Sequence, residues 1–598
     1  MADGEEVAVH GAPEPRLGFI DSRRLMGPNR YFAEPAVTLM PLGAAACDRK
    51  AQDAWAARVG SAAAALGWPD AAPIIEASAS GSRLAFRAPR DALLTATELC
   101  EWAWEQAATE EGDYPFDRAH GVGADFIAVL AERARAERLE GLAALRAAAA
   151  ARALPIFEDD EEISIGAGSG SRSWPRGSLP SVEEVPWGAL NDVPTALVAG
   201  SNGKTTTVRL IAAMAAASEL VPGLCSTEGV FVGGRATALG DYSGPAGARA
   251  VLRHPEVRVA VLETARGGIL RRGLAVERAD VAVVTNIQAD HLGEYGVESA
   301  EDLAETKLVV ARAVCRSGTL VLNADDSTLM AAAVRLPHAA AAHQALFALD
   351  HAHPSLAALR ARGGSTCAVR HGTTLVVHHG GEEYSLGEIA SLPLTMQGAA
   401  RYNVANLAAA ALVATLLGVA PGVVAATVQR FGALPTDNPG RLERWRYRGA
   451  LVIVDYAHNP DGLGQLLSVA RAQCPLRLTL LLGQAGNRDD EAIAELARTA
   501  ARFTPDRVVI KELSLMLRGR AAGEVPALIE RVLREAGIEA DRITSEPDEE
   551  RAARILLDSA RPGDVIVLPI HTRAVRERLT RTLAEAAPNG DSNHILAQ

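Results

Sequence analysis

Aromatic residues make up only 4% of the 598-residue chain, while alanine is very frequent. That balance favours helices packed through small side chains over aromatic-rich binding surfaces. Net positive charge is also lacking: the formal charge is −13, and no long basic block occurs. Nucleic acid is therefore excluded as the expected main partner, although local basic pockets for phosphates remain compatible with an acidic whole. The six cysteines (Cys47, Cys100, Cys225, Cys315, Cys367, Cys474) never fall into a CxxC spacing. They read as reduced thiols in a cytoplasmic protein, not as a metal ribbon or a disulfide framework. No apolar run approaches the ~20 residues that a membrane span needs. The acidic start, Met-Ala-Asp-Gly-Glu-Glu, carries no apolar core of a signal peptide. No membrane is expected as a partner.

Apolar residues at 48% and charged residues at 22% allow ordinary cores, and the length predicts three or four domains. Residues 1–156 read as an α+β N-terminal domain with helices at 49–66, 91–109 and 123–152 and a strand near 83–87. Residues 157–186 combine an acidic run, a Gly/Ser run and three prolines, which predicts a linker or exposed loop. A central domain, 187–435, alternates strands (195–199, 258–263, 280–285, 319–323) with helices, the pattern of a parallel sheet. It ends with a hairpin in 365–386 and a helix at 403–418. A second α/β pattern fills 436–590, with strands at 450–455, 477–482, 506–510 and 564–568. Helices fit between them at 461–473, 489–503, 523–536 and 548–560, and 591–598 is a tail.

The chemistry starts at Gly200-Ser201-Asn202-Gly203-Lys204-Thr205-Thr206. An apolar strand precedes it and a helix pattern follows, so backbone N–H groups at the helix start face an anion and glycine lets the backbone approach closely. Lys204 can reach terminal phosphates and the Thr205 hydroxyl can hold Mg²⁺. The loop is a shortened P-loop, with Val198 where the usual motif has its first glycine. Glu263 ends the next apolar strand, at the edge where such sheets place ligands, and could serve a hard cation. Asp290 and His291 follow the strand after that, and Lys307 lies in a helix expected over Ala300–Arg316.

These segments, followed in order by Asn323-Ala-Asp-Asp326, Tyr402-Asn403-Val-Ala-Asn406, Pro439-Gly-Arg441-Leu-Glu443 and Asp455-Tyr-Ala-His458-Asn459-Pro460, resemble the Mur ligase superfamily. Within it, Gly240-Asp241-Tyr-Ser-Gly-Pro245, Glu263-Thr-Ala-Arg-Gly-Gly268 and Arg518-Gly-Arg520 are similar to the Mur-like half of cyanophycin synthetases. Arg23-Arg24-Leu-Met-Gly27-Pro28-Asn29 more weakly resembles their N-terminal domain. The resemblance implies an α/β fold: a P-loop-type central parallel-sheet ATPase domain, a Rossmann-like C-terminal domain and an α+β N-terminal domain.

It also implies an ATP-dependent amide ligase using Mg²⁺. Gly200 to Thr206, Asn403, Asn406, Arg441, Asp455, His458 and Asn459 would serve the nucleotide, with Arg441 on its phosphates. Thr205, Glu263, His291 and Lys307 would serve metal, Lys307 matching a lysine that several members carbamoylate. Lys204, His291, Lys307 and Arg441 would be catalytic, and Arg488 would face the amino-acid substrate; His571 and Arg573, just after the last strand, are offered by that position as a second substrate contact, with a plain loop as the alternative. The implied partners are a small-molecule or peptide carboxylate and an amino acid, with a homo-oligomer open. Two departures stand out. About forty residues separate the N-terminal and Mur-like parts, too few for the ATP-grasp domain that cyanophycin synthetases carry there. The segment after Lys511-Glu512 is Leu-Ser-Leu-Met-Leu517, without the acidic side chains a bound arginine requires. A non-catalytic nucleotide-binding partner of a separate ATP-grasp ligase is the competing expectation.

Overall fold

A computed structural model of the protein describes residues 18–78, 81–111, 124–290, 292–473 and 476–586. Contacts divide the chain into two compact units: the chain up to Leu346 with Leu412–Val419, and Phe347–Ala411 with the chain from Ala420.

The first unit opens with a four-stranded antiparallel sheet ordered Phe19–Leu25, Ala36–Pro41, Gly81–Arg87, Ile74–Ser78. Trp55 and Trp104, from the helices Arg49–Ala65 and Leu93–Glu111, close its core with Phe86, Leu39 and Leu84. Four of the seven tryptophans, Trp55, Trp68, Trp102 and Trp104, are buried in this core. Gly141, in the left-handed region at φ 79°, divides the expected helix 123–152 into Ala124–Glu137 and Leu142–Ala150.

Residues 157–186 depart from the expected linker. Ile156–Glu158, Glu162–Ile165 and Arg172–Pro175 pair as an antiparallel sheet. Its sparse apolar residues are well placed: Ile165 and Val185 bury against Leu145 and Ala149 of the preceding helix. Part of the acidic run that suggested solvation is paired, Glu158 with Arg146 and Asp159 and Glu162 with Arg253. A Cβ on Gly168, at φ 53°, would strike Val257 O, so that glycine permits a close backbone approach.

The N-terminal domain meets the rest of the first unit through a polar seam. Met26 N–H donates to Arg272 O at 2.7 Å and Leu274 N–H to Pro28 O at 2.8 Å. Arg30 pairs with Glu76, Asp302 and Glu305 at 2.6–2.8 Å, which accounts for the clustering of these three carboxylates.

The main sheet of this unit runs Arg235–Leu239, Gly229–Val232, Pro222–Ser226, Val259–Glu263, Thr195–Ala199, Ala279–Val284, Val314–Asn323, His343–Phe347. The strands from Pro222 through Val314 pair in parallel around a fully buried Thr195–Ala199. Their carboxyl ends therefore form one rim. The helix carrying Lys307 is shorter than expected: Ala300–Lys307 passes through a 3₁₀ stretch, Leu308–Ala313, into the strand Val314–Asn323. Pairing of Val314 with Ala279 starts the strand where periodicity alone would have continued the helix.

In the second unit Thr366–Arg370, Thr374–His379 and Glu382–Glu388 form an antiparallel meander. A six-stranded sheet follows, ordered Glu443–Tyr447, Ala450–Asp455, Val565–Pro569, Leu478–Leu482, Arg507–Ile510, Ile543–Ser545. All pairs but the first are parallel. The helices Pro460–Ala472, Asp490–Arg502, Glu524–Glu535 and Glu549–Asp558 lie within two residues of their expected bounds, and the α/β class holds.

Candidate functional site

The central strand Thr195–Ala199 delivers the glycine loop to the carboxyl rim of its sheet. Gly200, at φ 145°, has no room for a side chain, since a Cβ there would meet Thr285 Oγ1. Gly203, at φ 85°, starts the helix Lys204–Ala217. The loop is braced by the neighbouring strand end. Ser201 N–H donates to Asn286 O at 2.9 Å and Asn202 N–H to Asn286 Oδ1 at 2.9 Å. Thr285 Oγ1 donates to Asn202 O at 2.7 Å, and Asn323 Nδ2 donates to Thr285 O at 2.9 Å. Three adjacent strand ends thus brace the loop. Lys204 Nζ donates to Ser201 O at 3.1 Å, and Thr206 is buried in the first helical turn.

Beside it, Thr205 Oγ1 donates to Glu263 Oε2 at 2.8 Å, and Glu263 is only 2% exposed. A hydroxyl and a carboxylate on the loop side of the rim are hard oxygen donors, the set that suits Mg²⁺. Lys307 is buried too, and burial, reinforced by the charges of Lys204 and Arg266 and only partly opposed by Asp290, holds its amine well below the usual lysine range. The structure thus pairs Thr205 with Glu263 and sets Lys307 within reach of the charge of Lys204. His291 lies outside the described residues.

The second unit brings its own group to a carboxyl rim. Asp455 ends the strand Ala450–Asp455 and accepts from Leu442 N at 2.6 Å and Tyr456 N at 2.7 Å. Burial raises its carboxyl above the usual range, against the pull of Arg441 and these backbone donors. The Arg441 guanidinium lies 4.5 Å from the centre of the Tyr456 ring. His458 Nδ1 is 3.1 Å from Tyr456 O, and Gln484 Nε2 donates to His458 O at 2.9 Å. Asn459 caps the helix Pro460–Ala472 by accepting from Gly462 N. Asn403 and Asn406 are both buried: Asn403 Nδ2 donates to Leu394 O, and Asn406 Nδ2 to Asn403 Oδ1, each at 3.1 Å.

The three expected substrate residues differ in setting. Arg488 is buried and its carbonyl accepts from Arg520 Nη2 at 2.7 Å. Arg573 is partly exposed and pairs with Glu577 at 2.7 Å. His571 turns inward instead: its side chain is 4% exposed, with Lys511 Nζ at 3.0 Å from Nδ1 and Ala457 O at 3.2 Å from Nε2. Sequence reading offered His571 to substrate because it follows a strand end, and that position alone does not say which way a ring turns. Glu549 and the packing of Tyr456 on Arg441 and His571 were not singled out, because those partners lie outside any helix or strand spacing.

Residues 198–414 match the family described as Mur ligase middle domain, and residues 440–569 match Mur ligase, glutamate ligase domain. Cyanophycin synthetase of Synechocystis sp. is 36% identical over 344 residues, 58% of this chain and 38% of that protein. The cyanophycin synthetase of Trichormus variabilis is 35% identical over 378 residues, 63% of this chain and 41% of that one. The UDP-N-acetylmuramoyl-L-alanyl-D-glutamate–2,6-diaminopimelate ligase of Chlorobaculum tepidum is 31% identical over 334 residues, 52% and 60% of the two chains. The chain spans about two fifths of the length of the cyanophycin synthetases it matches. Among solved structures, E. coli FolC in complex with DHPP and ADP aligns at a TM-score of 0.45 and 18% identity, over 66% of this chain and 89% of that one.

Proposed function

The chain belongs to the Mur ligase family through its middle and C-terminal domains, and from that premise we propose that it is an ATP-dependent carbon–nitrogen ligase. A substrate carboxylate attacks the γ-phosphorus of ATP; the bond to the bridging oxygen breaks, leaving ADP and an acyl phosphate. An amino acid or peptide amine then attacks the acyl carbon and loses a proton; the carbon–oxygen bond to phosphate breaks, leaving an amide. The observation that carries this reading is the contact of Thr205 with Glu263 beside a P-loop braced on three strand ends.

The backbone N–H groups at the start of Lys204–Ala217 suit the phosphates, and Lys204 matches the charge that grows on the transferred group. Arg441 is assigned to the same phosphoryl group, and Asp455, His458, Asn459, Asn403 and Asn406 to the nucleotide. Thr205 and Glu263, with Lys307 and His291, would hold Mg²⁺, which supplies neutralising charge at the phosphates. An uncharged Lys307 amine can also take up carbon dioxide as a carbamate, which converts a would-be cation into an oxygen ligand. Arg488 and Arg573 are assigned to the carboxylate of the incoming amino acid. Arginine is disfavoured as that amino acid, because the segment 511–517 offers a single carboxylate, Glu512, where a bound guanidinium calls for more acidic partners.

ADP release measured across amino acids and carboxylate acceptors tests the reading. Lys204→Ala should lower kcat by about 100-fold or more, the scale of losing a charge stabiliser at the reacting group. Unchanged amide formation would place the ligase site elsewhere.

A further inference from the structure

We propose that Lys511, His571 and Tyr456 are positioning residues for Arg441, a relay of fixed contacts that aims its guanidinium; this rests on the assignment of Arg441 to the transferred phosphoryl group.

Lys511 is fully buried just past the strand Arg507–Ile510. Its ammonium contacts Glu549 Oε1, Pro569 O and, at 3.0 Å, His571 Nδ1. Glu549 in turn accepts from the backbone N–H of His571 at 2.8 Å and of Thr572 at 3.0 Å, so both charges of the pair are met. An ammonium can only donate. Its contact with Nδ1 therefore leaves the imidazole proton on Nε2, which donates to Ala457 O at 3.2 Å. Burial and the Lys511 charge, with His458 and Arg441 adding to them, keep the ring neutral by holding it well below the usual histidine range.

The ion pair thus acts on the Asp455–Asn459 loop through one ring. Tyr456 carries the constraint onward. Its ring meets His571 edge-on, with centroids 5.1 Å apart, while Arg441 lies 4.5 Å from its centre. Asp455 ties the same parts together through the backbone, accepting from both Tyr456 N and Leu442 N, the residues flanking the contact. The ammonium of Lys511 and both ring nitrogens of His571 are already taken by protein partners, so their effect on turnover is expected to pass through this loop. A guanidinium on an aromatic face is attracted to the ring and keeps its fork in one plane. A misaimed charge at the reacting atoms loses rate without losing ground-state binding.

The test is steady-state ADP release by the full chain. Tyr456→Leu and His571→Ala should each lower kcat about tenfold and leave KM for ATP within about twofold. Tyr456→Phe, which keeps the ring, and His571→Gln, which keeps a donor near Nε2, should restore at least half of kcat. In an Arg441→Met background the same two variants should add less than about twofold, because residues that act through one group are not additive. Equal losses in both backgrounds would overturn the relay, as would a full kcat in Tyr456→Leu while Arg441→Met is impaired. A His571→Ala variant with a collapsed thermal midpoint leaves Tyr456→Leu and His571→Gln to decide. A full kcat in Arg441→Met itself would overturn the assignment of Arg441, and the relay with it.

Discussion

Lys307 and Lys511 are both buried lysines beside the carboxyl ends of parallel strands, one in each unit, and their surroundings are opposite. Around Lys307 the nearest charges include Lys204 and Arg266, with Asp290 opposing them. Lys511 has Glu549 on its ammonium and a carbonyl and an imidazole as further acceptors. Burial disfavours both charges, but only Lys511 has a carboxylate in direct contact to offset it. Both amines are held below the usual lysine range by burial, Lys307 well below it, and at Lys511 the charge of Glu549 pulls the other way. Burial alone does not assign a role; the sign of the neighbours does.

Removing each lysine should separate the two roles. Lys307→Ala should cost about 100-fold or more in kcat if, as proposed, it removes a metal ligand beside the phosphates. Lys307→Met should leave the thermal midpoint unchanged or higher, since no buried carboxylate loses its partner. A carbamate signal from carbon-13 bicarbonate in the native chain, absent from Lys307→Met, would sharpen the contrast. Lys511→Met should do the reverse, destabilising by about 3–5 kcal/mol in urea unfolding because Glu549 is left charged inside. Adding Glu549→Gln should recover much of that loss, and failure to recover would break the comparison.

The polar seam of the N-terminal domain supplies a milder case. Arg30 is the strongest of the groups that oppose burial at Asp302, and with the Glu298 N–H and Arg83 it holds that carboxyl down at about 2. A depressed acid stabilises the fold at pH above its unfolded value, and that contribution is lost as pH falls from about 4 to 2. Arg30→Met should shrink this acid-side loss and slightly lower the midpoint at neutral pH, as read by unfolding at several pH values.

The glycine loop and the strands that flank it were legible because tight turns and buried parallel strands require particular residues locally. Gly200 and Glu263 stand where that logic puts them. The N-terminal sheet was mostly missed. Phe19–Leu25 is largely polar and pairs with a strand whose apolar face is covered by helices far along the chain. The 157–186 stretch misled for a different reason. Part of its acidic charge is paired with Arg146 and Arg253, and no composition count reveals a counter-ion ninety residues away. His571 shows the remaining gap: its place in the chain was visible, but the buried lysine that turns it was not.

The small sheet at 156–175 also bears on dissection of the molecule. Because Ile165 and Val185 share one apolar cluster with Leu145 and Ala149, scissors placed after residue 156 would open a cluster instead of severing a tether. The N-terminal portion is grafted onto its neighbour, and the first clean place to divide this protein is not where its composition invites the cut.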